Sequence, residues 1–185
     1  RRRPGDPTGV WIADGATLEV RHLQLPGGKE TVKFGGPGQK PGQFQQIHQL
    51  EAGPSGRVYV GDYGKNVIAV FSPAGAFEFE IPWQTTGFCL DDKEQILTIR
   101  HSEDSGYLLE TYSTKGKLVK TTHLGLPTHQ NPRIWTLEKD GSFWVTFVPS
   151  GGFRGFLNLI HFSDAGAPTG KWVFHTPAGM NRFQE

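Results

Sequence analysis

The sequence predicts an all-β protein built by repeating one small antiparallel sheet. Three observations carry this. The 25 glycines and 13 prolines are scattered between short apolar runs, as tight turns between strands require. No window sustains apolar residues at the helical spacing of three and four. One order of strands and turns recurs along the chain, with Asp14, Asp62, His101 and Phe147 at equivalent places, 48, 39 and 46 residues apart. Propeller blades repeat at about 40–45 residues, so the expected fold is a β-propeller of about four four-stranded blades.

The clearest unit runs from Phe34 to Phe77 and beyond. It opens on Gly35, Gly38 and Gly42-Gln43-Phe44, and its first strand carries Ile47-His48-Gln49-Leu50. A turn at Gly53-Pro54-Ser55-Gly56 leads to the alternating strand Val58-Tyr59-Val60-Gly61-Asp62. Val67 to Phe71 and Phe77 to Ile81 form the third and fourth strands, separated by Pro73-Ala74-Gly75. Upstream, Val10-Trp11-Ile12-Ala13-Asp14 matches Val58 to Asp62, and Leu18–Leu23 and Thr31–Phe34 follow it. Downstream, Phe88-Cys89-Leu90, Ile96–Ile99, Tyr107–Tyr112 and Leu118–Thr122 make a third unit. Ile134–Leu137, Phe143–Thr146, Leu157–Phe162 and Lys171–His175 make a fourth. The blades therefore fall at about 1–40, 41–84, 85–128 and 129–178, and 179–185 opens a further repeat, Gly179 to Phe183 echoing Gly42-Gln43-Phe44. A lone blade cannot bury both faces of its sheet, so blades must stack. Trp11, Tyr59, Trp135 and Trp144 are expected to fill the layers between them.

The set Gly38, Gly42-Gln43-Phe44, Gly56, Val58-Tyr59-Val60, Asp62, Asn66, Val67-Ile68, Val70-Phe71 and Gly75 resembles the NHL-repeat β-propeller family. The second unit matches closely and the first over its second strand. The third and fourth keep the strand rhythm but carry His101 and Phe147 where the family has aspartate. The resemblance implies a six-bladed ring of which these four blades are part. The rest would come from sequence outside these residues or from another chain; closure as a compact four-bladed ring is the alternative.

With 36% hydrophobic and 20% charged residues the chain is globular, and a formal net charge of +1 gives it no field that would draw nucleic acid. Cys89 is the single cysteine, which excludes an internal disulfide and reads as packing. No apolar run approaches the roughly 20 residues of a membrane span, and no signal peptide is visible. The chain opens on Arg1 and its one methionine is Met180, so the start of translation is expected upstream. Propellers of this resemblance point to an extracellular or periplasmic location.

Chemistry in a propeller is expected at the mouth of the central channel. Aligning the units puts His48, Gly87 and Arg133 on the first strands there, and Asp14, Asp62, His101 and Phe147 after the second strands, with Tyr63 next to Asp62. The polar members, His48, Asp62, Tyr63, His101, Arg133 and Asp14, are the candidate ligand-binding residues, and zinc or calcium the candidate cofactors. Asp14 and Asp62 have a second reading as turn residues that accept backbone N–H bonds. His48 holds the place where, by the resemblance, NHL-like peptide-amidating lyases carry a zinc-ligating histidine. Its equivalents Gly87 and Arg133 complete no three-ligand set.

Two functions follow. The first is a binding module that offers its loop face and channel mouth to a protein or a small ligand. Ser150 to Phe156 and Trp83 to Thr86 are the loops suited to contact. The second is a metal-dependent lyase or hydrolase resembling the peptidyl-amidating lyase or lactonase types. In it Arg133 holds a carboxylate and Tyr63 serves as general base. Single-stranded RNA binding would need a basic face with exposed aromatics, which the charge balance argues against.

Overall fold

The computed structural model describes residues 9–84, 87–126, 132–147 and 156–175. Every regular element among them is a strand. Sheet 1 holds β1 (Gly9–Asp14), β2 (Glu19–Gln24) and β3 (Lys29–Gly35). Sheet 2 holds β4 (Ile47–Ala52), β5 (Val58–Asp62), β6 (Val67–Phe71) and β7 (Phe77–Pro82). Sheet 3 holds β8 (Phe88–Leu90), β9 (Ile96–Ser102), β10 (Gly106–Tyr112) and β11 (Leu118–Leu124). Sheet 4 holds β12 (Arg133–Leu137), β13 (Phe143–Phe147), β14 (Phe156–Phe162) and β15 (Pro168–His175). Each sheet is an antiparallel meander with strands in chain order. Sheet 1 has three strands among the described residues, the three read from Val10 to Phe34, and the other sheets have four.

Strand alternation decides which side chains meet. Along β5, Val58 and Val60 face sheet 1, and Tyr59 faces sheet 3. All five residues of β5 are buried, because both faces of sheet 2 are covered. Three apolar layers result. Trp11, Val20, Phe44, Val58, Val60, Ala69 and Phe71 lie between sheets 1 and 2. Tyr59, Ile68, Val70, Ile81, Trp83, Phe88, Ile96 and Tyr112 lie between sheets 2 and 3. Leu109, Leu124, Ile134, Phe143, Val145 and Phe162 belong to the layer between sheets 3 and 4. Gly61 is required for the middle layer: a Cβ there would stand 2.8 Å from the Trp83 ring.

Polar bridges join the sheets where their first strands converge. The Gln49 side-chain amide donates to the Phe88 carbonyl at 2.7 Å and accepts the Phe88 N–H at 3.2 Å. One side chain thus supplies β8 with the donor and acceptor a neighbouring strand would give. β12 in turn lies against β8.

Candidate functional site

The first strands of sheets 2, 3 and 4 together wall a cleft of about 450 Å³. Gln49 and Glu51 come from β4, Phe88, Cys89 and Leu90 from β8, and all five residues of β12 complete the wall. Two β-bulges shape this region. In β4, Ile47 pairs with Asp62 and Gln49 with Gly61, which leaves His48 as the extra residue. In β12, Ile134 pairs with Val145 and Thr136 with Trp144, which leaves Trp135 as the extra residue. A bulge re-aims its side chain out of the regular alternation. That explains Trp135, which is 65% exposed instead of filling a layer between sheets as its strand position predicted.

Arg133 opens β12 and is exposed at the cleft. Its side chain lies beside Gly87, where a Cβ would stand 2.6 Å from Arg133 Cγ. The cleft therefore carries one cation (Arg133), one carboxylate (Glu51) and an aromatic face on Trp135, and its lining is more polar than apolar.

The other predicted site residues are placed elsewhere. His48 and Tyr63 meet with ring centroids 6.0 Å apart, and both lie 6.0–6.5 Å from the Trp83 ring. Trp83 itself is 1% exposed and belongs to the core, so its predicted role as a loop contact is not the one it has. His101 is exposed and packs its ring on Tyr107 at 5.0 Å. Asp62 is fully buried, and its carboxylate accepts N–H bonds from Gln45, Gln46, Gly64 and Lys65 at 2.8–3.2 Å. Asp14 accepts from Ala16 and Thr17, and these amides hold its carboxyl below the usual carboxylate range. Both aspartates thus hold the turn after their strand. Among the described residues no three His, Cys, Asp or Glu side chains converge as a metal centre would require. The structure brings His48 and Tyr63 together and sets Arg133 in the cleft, and none of Asp14, Asp62 and His101 lines that cleft. The loop Ser150 to Gly155, the segment 179–185 and the side chain of Phe147 lie outside the described residues.

Sequence reasoning missed Gln49, Glu51 and Trp135 as cleft residues. A bulge leaves no mark in composition, since it depends on which partner residue each strand position meets.

Comparison with solved structures returns the same architecture. A catalytically inactive virginiamycin B lyase from Staphylococcus aureus, solved with quinupristin, superposes with a TM-score of 0.59 at 15% identity. The match covers 94% of this chain and 68% of that one. A streptogramin B lyase matches with a TM-score of 0.57 at 16% identity, over 94% and 68% of the two chains. A protein of unknown function from Bacteroides caccae matches with a TM-score of 0.61 at 11% identity, over 90% of this chain and 58% of that one. The fold is a β-propeller. Each sheet is accordingly a blade, numbered below as the sheets were. The chain spans about three fifths to two thirds of the length of these propellers. No protein-family model matches the sequence, and no curated protein matches it.

Proposed function

We propose that this chain is a binding module that takes a small ligand, or a projecting group of a protein, at its channel mouth. The observation that carries the reading is the pairing of Arg133 with the bulged, 65% exposed Trp135 on one edge of the 450 Å³ cleft. A guanidinium fixes a carboxylate or amide oxygen, and an exposed indole stacks on a flat face. The fitting ligand has an anionic or strongly accepting group next to a planar one. The test is a fragment screen by two-dimensional NMR with aromatic carboxylates such as benzoate and indole-3-acetate. Saturable shifts at β8 and β12 that vanish in both Arg133→Ala and Trp135→Ala support the site. Absence of saturable shifts, or shifts indifferent to both substitutions, removes it.

The second reading is an enzyme of the propeller lyase or hydrolase kind. It is favoured by the His48–Tyr63 ring pair, which sets the exposed Tyr63 phenol, the general base of that reading, beside the candidate metal ligand His48. Elemental mass spectrometry of the dialysed protein decides the metal-dependent form of it. Near-stoichiometric zinc or calcium, lost in His48→Ala, moves the enzyme ahead; a metal-free protein leaves the binding reading in front.

The repeats are read as NHL-type, on the residues quoted from Gly38 to Gly75, with blade limits near 40, 84, 128 and 178. Four blades that match 68% of a lyase propeller correspond to about six blades in a whole ring of similar blades, which supports a six-bladed parent. An exported location remains part of this proposal.

A further inference from the structure

The last strand of each sheet, β3, β7, β11 or β15, has a strand partner on one side only and stands at the outer edge. In each of them one extra residue bulges near the start of the strand: Thr31, Glu78, Val119 and Thr169. Three of the four are polar and partnered within their own blade. Thr31 and Thr169 meet the Nδ1 atoms of His22 and His161, and Glu78 meets Arg57 Nε at 2.9 Å.

Blade 3 departs from this rule. Val119 is 54% exposed, its neighbour Leu118 is 50% exposed, and Lys117 to Thr121 form one continuous exposed run. Blade 3 has a blade packed on each face, so an absent neighbour does not account for the exposure. In blade 2, which is enclosed in the same way, β7 alternates between exposed glutamates and partly buried phenylalanines. Charge sets β11 apart as well. On β7 Glu78 pairs with Arg57 and Glu80 with Lys65, and on β3 Lys33 pairs with Glu19. Lys115, Lys117 and Lys120 have no carboxylate partner among the described residues, and Ser113 to Leu126 contain no aspartate or glutamate. Lys120 donates instead to the Asp164 carbonyl at 3.0 Å. The edge is held in place at both ends. The turn before β11 is seated on blade 2, where a Cβ on Gly116 would stand 2.8 Å from the Phe79 ring, and Thr122 abuts Gly166 of blade 4.

We propose that the outer edge of β11 is a docking strand for an extended acidic segment of a protein partner, which adds to blade 3 as a further strand. An edge strand offers unpaired N–H and C=O groups to an incoming strand, and alternate side chains set the selectivity. Apolar side chains of the segment cover Leu118 and Val119, and its carboxylates meet Lys117 and Lys120. Lysine by itself protects an edge from chance pairing; the adjoining Leu118-Val119 pair turns that protection into a preference for acidic partners. The same lysines select against a second copy of this chain, because two β11 edges would set like charges against each other. The proposal is independent of what the cleft binds.

The probe is a capped hexapeptide of alternating glutamate and valine, titrated into the 185-residue protein and followed by two-dimensional NMR and amide hydrogen exchange. Saturable shifts should centre on β11, and the amides of Lys117 to Thr121 should exchange severalfold more slowly in the complex. Binding should weaken severalfold in the Lys117→Gln/Lys120→Gln double variant. It should weaken likewise in Val119→Thr, which places the residue type of blades 1 and 4 at an exposed site and so spares the fold. The same peptide N-methylated at every residue, which can donate no strand bond, should bind severalfold more weakly. Absence of saturable shifts, equal binding by the N-methylated peptide, or unchanged affinity in both variants overturns the proposal. So does self-association through β11 in the peptide-free protein, which assigns the edge to a second copy. Binding to vesicles of equal parts phosphatidylserine and phosphatidylcholine without binding to the peptide overturns it too, and assigns the edge to a lipid surface.

Discussion

Glu94, in the turn after β8, reaches across to blade 2 and accepts both the backbone N–H and the hydroxyl of Ser55, the latter at 2.6 Å. Glu94 is 6% exposed and sits in left-handed backbone at a φ of +60°. The Tyr59 hydroxyl approaches the same carboxylate at 3.4 Å. Blades 2 and 3 are thus latched by one buried side chain at the rim. Glu94→Ala leaves the Ser55 donors without their acceptor and is expected to cost about 1–3 kcal/mol. Denaturant unfolding with an unchanged m-value measures it.

Tyr112 gives an alkaline signature. Burial pushes its phenol up to about 12, helped by the Glu110 carboxylate that its hydroxyl contacts at 2.8 Å. Burial, followed by the Glu94 carboxylate, pushes Tyr59 up as well. A raised pKa means that the folded state holds the proton longer than the unfolded chain, whose tyrosines titrate near 10. Stability is therefore full below about pH 10 and falls as the pH rises towards about 12. Absorbance at the phenolate band should show Tyr59 and Tyr112 resisting ionisation beyond the value of free tyrosine until the protein unfolds.

Asp62 and Asp14 occupy matching places in their repeats but carry different loads. Four backbone donors converge on the buried Asp62 carboxylate, which ties the entry to β4 to the turn after β5. Asp62→Ala is expected to destabilise by at least about 1–3 kcal/mol. Asp14→Ala, at a site open to water, should cost clearly less in the same denaturation experiment. The depressed Asp14 carboxyl stabilises the fold above its unfolded value, and that contribution is lost as the pH falls through the folded one. An NMR titration of the Asp14 carboxyl should place its midpoint below 3.8.

Gly87 controls Arg133. A methyl group there meets Arg133 Cγ, so the arginine must swing away from the cleft. Gly87→Ala should weaken ligand binding by a factor similar to Arg133→Ala, with a small change in Tm. Gln49→Ala should act on stability as well as on the cleft wall that Gln49 helps to form. It removes both bonds to the Phe88 backbone and should lower stability by about 1–3 kcal/mol. A calorimetric Tm and a binding isotherm on the two variants separate these effects.

The sequence alone determined the strand rhythm and its grouping. Alternation in Val58-Tyr59-Val60, turns such as Pro73-Ala74-Gly75, and the step of about 45 residues are local properties, and local sterics and apolar periodicity write them directly into the residue order. It also carried the turn role of Asp62, because a short carboxylate one residue before a turn has backbone donors within reach. The tertiary structure decided which side chains became a site. His48 and Trp135 are turned outward by bulges, and a bulge exists only when two strands have chosen their register. Trp11 and Trp144 are equivalent in sequence and in partners. Among the described residues one is core and the other half-buried, because burial depends on what packs against a strand's face and not on the residue itself.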